Sequence, residues 1–145
     1  MRHALVRTAV AVVGAAALTF VGLGAAQAGS ASSTVSALSA NGKSYSAQAL
    51  VYTNTGSAWA YSRINSKSGN VASGWMGANG RLFNSGGSLV KEGGFTYNSG
   101  AASGLSIPSG TLYRSGSFYS YGVVKVWNGS SYNAHYTFKS PLQNA

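Results

Sequence analysis

Alternating polar and hydrophobic positions run along most of this chain, and period-two alternation predicts β-strands. The alternation is clearest near the C-terminus. Tyr119, Tyr121 and Lys125 fall on one face of that segment, and Val124 and Val126 fall on the other. The predicted strands are 45–53, 57–65, 71–83 with a bulge at its glycines, 88–98 with a break at its Gly-Gly pair, 117–127 and 132–139, with a short apolar piece at 105–107.

Turn residues separate these segments. Asn128-Gly129 begins the turn between the last two strands, and Asn-Gly is a strong hairpin signal because both residues tolerate positive φ. Similar signals lie at 54–56, 67–70 and 84–87. About seven short strands with regular turns predict one all-β domain over 44–145, built as an antiparallel β-sandwich or a small barrel.

The first 28 residues have the pattern of a secretory signal peptide. Arg2, His3 and Arg7 precede an uncharged stretch at 9–26, and Ala26-Gln27-Ala28 forms a small-x-small cleavage site. A membrane anchor is the alternative, but the Ala and Gly content and the adjoining cleavage site favour a signal peptide. We therefore expect a secreted protein that is not integral to the membrane after processing.

Residues 29–43 are rich in Ser and Ala and show no periodicity. This composition predicts a flexible arm before the all-β domain. Such an arm is suited to a docking segment that becomes ordered on binding.

The amino-acid composition excludes several kinds of catalytic and metal-binding site. Glu92 is the only acidic residue among 145, against ten Lys and Arg, and the formal net charge is +9. Paired carboxylates, Asp-supported triads and carboxylate metal cages are therefore excluded. The chain has no Cys, and His135 is the only His after the signal peptide, so no disulfide, metal site or cofactor is expected.

The run Tyr119-Ser-Tyr-Gly-Val-Val-Lys-Val-Trp-Asn-Gly, the segment 136–144 and the segment 77–84 resemble small secreted actinobacterial proteins. Members of that group often carry a Cys pair near the positions of Val90 and 112–113, which this chain lacks. A looser resemblance links it to the lactococcin 972 group of secreted β-sandwich bacteriocins. That resemblance implies action at a bacterial cell envelope. Our hypotheses for such a protein are a bacteriocin-like effector and a small component of an extracellular assembly.

The residues themselves favour a non-catalytic binding protein. Its expected partner is an anionic polymer of the cell envelope or another secreted protein, because a basic surface attracts polyanions. Trp and Tyr side chains that alternate in strands are expected mainly in the core, and an exposed set would instead suit sugar rings in a carbohydrate-binding module. The candidate binding residues are Lys125, Lys139, Arg63, Arg81, Arg114, Trp59, Trp127, Tyr119 and Tyr121.

A small secreted ribonuclease is the alternative from the enzyme class, although nucleic acid is not the expected partner. It would use Glu92 as base, His135 as acid and Arg81 for the phosphate, all within hydrogen-bond reach of the substrate. By alternation, however, His135 shares a face with Asn133 and Thr137, which we interpret as the solvent face.

We predict that the secreted protein begins at Gly29, because signal peptidase cleaves after a small-x-small site. N-terminal sequencing of the protein from culture medium measures this directly. Membrane-bound protein that retains Met1 would contradict the prediction.

Overall fold

A computed structural model describes residues 28–145, and this part of the chain is all-β. The predicted signal peptide lies outside the described residues, except for Ala28. The described residues contain no helix that could cross a membrane. The strands are β1 (Gly29–Ser32), β2 (Ser36–Ala40), β3 (Lys43–Asn54), β4 (Ser57–Ser66), β5 (Met76–Asn79), β6 (Arg81–Asn84), β7 (Leu89–Glu92), β8 (Thr96–Tyr97), β9 (Gly104–Pro108), β10 (Ser117–Ser120), β11 (Val123–Trp127), β12 (Tyr132–Tyr136) and β13 (Gln143–Asn144).

The first layer is a five-stranded antiparallel sheet built around the β3–β4 hairpin. Its strand order is β1-β3-β4-β9, and β2 also pairs with β3. The register places Tyr52 opposite Trp59 and Leu50 opposite Tyr61. The predicted turn at 54–56 closes this hairpin, and Gly56 has a φ of 72°. The long alternating segments 45–53 and 57–65 therefore correspond closely to β3 and β4.

Residues 29–40 are not the flexible arm that their composition suggests. β1 pairs with the C-terminal half of β3, and β2 pairs with its N-terminal half. Ser33 joins the two strands: its N–H donates to Ala49 O at 2.8 Å, and its hydroxyl accepts from Ala49 N–H at 3.0 Å. Asn41 and Gly42, with φ of 49° and 69°, form the tight turn between β2 and β3. This Asn-Gly pair is the signal that the sequence analysis did not use.

The second layer consists of two four-stranded antiparallel sheets, ordered β13-β10-β6-β7 and β12-β11-β5-β8. Each strand of one sheet is followed or preceded along the chain by the strand at the same position in the other sheet: β12 by β13, β10 by β11, β5 by β6 and β7 by β8. Only Gly80 separates β5 from β6, only 121–122 separate β10 from β11, and only 93–95 separate β7 from β8. The second layer is thus one set of four bent strands, and the sheets do not close on themselves. The predicted β-sandwich is confirmed.

The bend brings the second layer into backbone contact with the first. A Cβ atom added at Gly122 would overlap the Ser62 side chain of β4, and one at Gly80 or Gly93 would overlap the backbone around Pro108 at the end of β9. The Ser62 hydroxyl donates to Asn79 O at 2.7 Å across the same contact. We call this contact of Gly80, Gly93 and Gly122 with β4 and β9 the waist.

The waist lies between two hydrophobic clusters. One contains Tyr45, Ile64, Met76, Val124 and Val126 with smaller neighbours. The other contains Val51, Ala58, Ala60, Leu82, Phe118 and Ala145. Ser62 and Ser120 are fully buried between these groups and are hydrogen-bonded, which removes most of the cost of burying their hydroxyls.

Bending divides the predicted strands 71–83, 88–98 and 117–127, and with β1, β2 and β13 the described part has thirteen strands instead of about seven. The predicted strand 71–83 is divided at Gly80, and its first five residues carry only an isolated bridge at Val71. The predicted strand 88–98 is divided at Gly93-Gly94, where the sequence analysis placed a break. Glycine residues in strands therefore mark a close backbone approach here.

We predict that Gly122→Ala lowers the free energy of unfolding by about 2–3 kcal/mol, because its methyl group would overlap the buried Ser62 side chain. Gly100→Ala is the matched control, since a Cβ at Gly100 meets nothing within 4 Å and its φ is not positive. Its effect should stay within about 1 kcal/mol. Urea unfolding measures both changes, and equal effects would show that the waist is not tightly packed.

Tyr45 supplies a second stability test. Its side chain is fully buried and its hydroxyl has no hydrogen-bond partner within the described chain, and desolvation raises its pKa from the ordinary 10.0. Above pH 10 the unfolded chain thus releases this proton before the folded chain does, so the stability due to this group is lost as pH rises through the folded pKa. Tyr45→Phe should therefore keep more of its stability than the wild type in alkaline unfolding experiments.

At neutral pH, Tyr45→Phe should leave stability unchanged or raise it by about 1 kcal/mol, because it removes an unpartnered buried hydroxyl. Tyr61→Phe is the control, because Tyr61 is only half-buried on the outer face of β4. A large loss of stability in Tyr45→Phe at neutral pH would disprove this account of the hydroxyl.

Candidate functional site

The large aromatic side chains lie mainly on the outer faces of the sandwich. In β4 the alternation puts Ala58, Ala60 and Ser62 inside, and leaves Trp59 and Tyr61 half-buried outside. All three Trp residues are half-buried. The expectation that these rings fill the core was therefore wrong. The reason is the waist, since two layers in backbone contact leave room only for small inward side chains near that contact.

The first aromatic face lies outside β3 and β4 and consists of Tyr52, Trp59, Tyr61 and Arg63. The Tyr52 and Trp59 rings are nearly parallel, with 5.8 Å between centroids and 9° between planes. Tyr61 meets the Tyr52 ring edge-on, also at 5.8 Å. Arg63, Ser106 and the three rings line a groove of about 390 Å³.

The second aromatic face lies outside the second layer and consists of Phe83, Tyr119, Tyr121 and Tyr136 with their two cations. Phe83 stacks on Tyr119 with centroids 5.4 Å apart, and Tyr121 stacks on Tyr136 at 5.3 Å. Phe83 and Tyr121 join these pairs at 5.9 Å. Tyr136 is 60% exposed, so its ring is available to a ligand.

Arg81 and Lys139 are the cations of the second aromatic face. The Arg81 guanidinium carbon lies 4.9 Å from the Phe83 centroid and 6.0 Å from the Tyr136 centroid. Lys139 Nζ lies 5.5 Å from the centroids of both Tyr119 and Tyr121. Such contacts are worth roughly 0.5–1 kcal/mol at exposed sites, and here they hold two positive charges over the rings.

A groove of about 360 Å³ adjoins this face. Tyr119 and Lys139 line one part of it, and the loop residues Gly86 and Gly87 line another. Ser85 and Ser140 contribute polar groups, and Leu142 completes the lining. The groove therefore offers an aromatic ring, a cation and hydroxyl groups within one concave surface.

Comparison with known protein families, with characterised proteins and with solved structures finds no match for this chain.

A third aromatic cluster occupies the other half of the second layer. Tyr132 contacts Tyr97 and Trp127, with centroid distances of 5.0 and 5.3 Å. Lys125 Nζ lies 4.1 Å from the centroid of Phe95. A Cβ at Gly77 would touch the Tyr97 ring, so the ring lies directly across that glycine.

Most of the predicted binding residues thus fall on outer aromatic surfaces. The structure divides them between layers: Trp59 and Arg63 lie on the first, and Arg81, Tyr119, Tyr121, Lys125, Trp127 and Lys139 lie on the second. Arg114 stands apart, because its guanidinium carbon lies 5.8 Å from the ring of Phe118, which is buried in the core. Their role in binding stays a prediction.

The sequence analysis missed several rings in these clusters, including Tyr52, Phe83, Phe95, Tyr97 and Tyr136. The signal that would have identified these rings is the pairing of residues across neighbouring strands. Tyr52 could have been found from the hairpin turn at 54–56, which aligns it with Trp59. Tyr136 could have been found from the turn at Asn128-Gly129, which aligns it with Val123 beside Tyr121. Phe83 depends on pairing with Tyr119 of β10, which is distant in sequence.

The structure does not bring Glu92 and His135 together. Glu92 is exposed on β7, and its carboxylate accepts a hydrogen bond from Asn79 Nδ2 at 3.0 Å. His135 is on β12, near the opposite edge of the second layer, three strand spacings or about 14 Å away. The two residues also point to opposite faces, since Glu92 is paired with the outward Arg81 and His135 with the inward Val124.

The assignment of His135 to the solvent face is therefore corrected. Val124 opposite it is fully buried, and His135 itself is half-buried, with Nε2 buried and without a hydrogen-bond partner among the described residues. The aromatic residues Tyr132 and Tyr136 occupy the outer face of β12 instead. Residues 28–145 contain no group of three or more His, Cys, Asp or Glu side chains arranged to hold a metal ion.

Proposed function

We propose that this protein is a secreted, non-catalytic binding domain for an anionic, sugar-containing polymer of the bacterial cell envelope. The observation that carries the proposal is the second aromatic face, where Arg81 and Lys139 are held over stacked rings beside an open groove. Polymers with phosphate groups between sugar or polyol units present both kinds of group that this surface suits.

Charge complementarity supports an anionic ligand. Residues 29–145 contain eight Lys and Arg and one acidic residue, a net charge of +7 for the secreted form, so little negative charge opposes a polyanion. The Glu92 carboxylate already accepts a hydrogen bond from the side-chain amide of Asn79. Binding through Arg81 and Lys139 should therefore weaken as salt screens the charges.

The aromatic rings support a ligand with sugar units rather than a bare anion. An exposed ring such as Tyr136 offers an apolar face to the C–H groups of a pyranose, and the neighbouring groove supplies the hydroxyl of the exposed Ser85. The rings of the second aromatic face contact one another in a continuous series, and clustered surface rings of this kind mark interaction sites.

Lys139→Gln should lower the fraction of protein that co-sediments with Gram-positive cell walls, by about threefold to tenfold at low salt, because it removes a charge at the second aromatic face. Lys67→Gln is the matched control, since it changes the net charge equally at an exposed residue outside the aromatic faces. Walls stripped of teichoic acid, and a salt gradient, complete the measurement.

Four outcomes separate the causes of binding. Weaker co-sedimentation of Lys139→Gln but not of Lys67→Gln, together with dependence of binding on teichoic acid and salt, supports the proposal. Equal loss with both variants would mean that net charge acts without a site. Salt-resistant binding to stripped walls would indicate a neutral glycan, and no binding to either wall would point to a protein partner.

A further inference from the structure

The first and second aromatic faces lie on opposite sides of the sandwich. Tyr61 and Arg63 point outward from β4, whereas their neighbours Ser62 and Ile64 are fully buried against the second layer. Tyr119 points outward from β10, and its neighbour Phe118 is buried against the first layer. The thickness of both layers therefore separates the two faces.

The first aromatic face has the elements of an independent site. Its groove of about 390 Å³ shares Tyr52 and Trp59 with a second groove of about 360 Å³, which continues past Ser30 toward the N-terminal end of β1. The nearly parallel rings of Tyr52 and Trp59 form the floor common to both grooves. Arg63 adds a positive charge at one end of this track.

The two faces thus repeat one chemistry: stacked rings beside a groove, with Arg63 on one side and Arg81 with Lys139 on the other. Two sites on opposite faces point away from each other. A polymer segment lying in one groove leaves the other groove free for a second segment.

We propose that the domain is bivalent and cross-links two chains of the anionic polymer. This inference rests on the proposed function, because it assigns the same ligand class to both faces. Cross-linking by a bivalent protein links polymer chains into a network, although each site binds with modest affinity. The domain would then act on the envelope as a structural bridge.

The test uses the secreted protein and purified teichoic acid in solution, with sugar substituents on its glycerol-phosphate repeats. Light scattering reports cross-linking, and fluorescence anisotropy of labelled polymer reports binding. The wild type should produce strong scattering when its binding sites and the binding positions on the polymer are about equal in number. Scattering should fall in excess protein because each polymer chain becomes saturated. Arg63→Gln and Trp59→Ala disable the first aromatic face. Lys139→Gln combined with Tyr136→Ser disables the second.

Each single-face variant should still bind labelled polymer but scatter about tenfold less than the wild type. The controls are Lys67→Gln and Tyr113→Ser; Tyr113 is 85% exposed and outside the aromatic faces. Thermal unfolding measures whether each variant remains folded. Arg63→Gln is the conservative test of the first face if Trp59→Ala destabilises the fold.

Unchanged scattering in both Arg63→Gln and Trp59→Ala, or binding by the wild type without any scattering, would overturn bivalency and leave the proposed function intact. Equal loss of scattering in Lys67→Gln and Arg63→Gln would overturn it as well, by showing that dispersed charge links the chains. Absence of binding by every protein would overturn the proposed function and the bivalency together.

Discussion

Backbone contact at the waist is the constraint on which the rest of this structure depends. Gly80, Gly93 and Gly122 allow the bent strands of the second layer to touch β4 and β9, and no Cβ atom fits at any of these positions. Ser62 and Ser120 fill the remaining space and hydrogen-bond across it. Inward positions near the waist must therefore be small, and the core is formed by two clusters of modest volume.

A second consequence concerns the aromatic residues. A core with small side chains at its centre leaves Trp59, Trp127 and most Tyr rings on the outer faces, where they contact other rings across strands. Cross-strand pairs of this kind stabilise a sheet, which matters in a chain without disulfides. The same rings hold Arg81, Lys125 and Lys139 in place. Sheet stability and a prearranged cationic surface thus arise from one set of contacts.

Sequence reasoning worked well where local pattern decides structure. Alternation located β3 and β4, and Asn128-Gly129 marked the loop between β11 and β12. It failed at 29–40, whose Ser and Ala carry little hydrophobic signal but pair with β3 through backbone groups. It also failed for His135, because the choice between inner and outer face of β12 depends on which residues lie opposite. The candidate basic and aromatic residues could be chosen from the sequence, but their grouping could not.

The sequence alone determined the all-β class, the antiparallel hairpins, the absence of paired-carboxylate and thiol chemistry and the excess of positive charge, because each follows from composition or from neighbours along the chain. Only the tertiary structure decided that the large rings face outward and form separate surfaces on the two layers. The physical reason is the close approach of the layers at the waist, which joins Ser62 to Gly122 across 60 residues of sequence and which no local pattern contains.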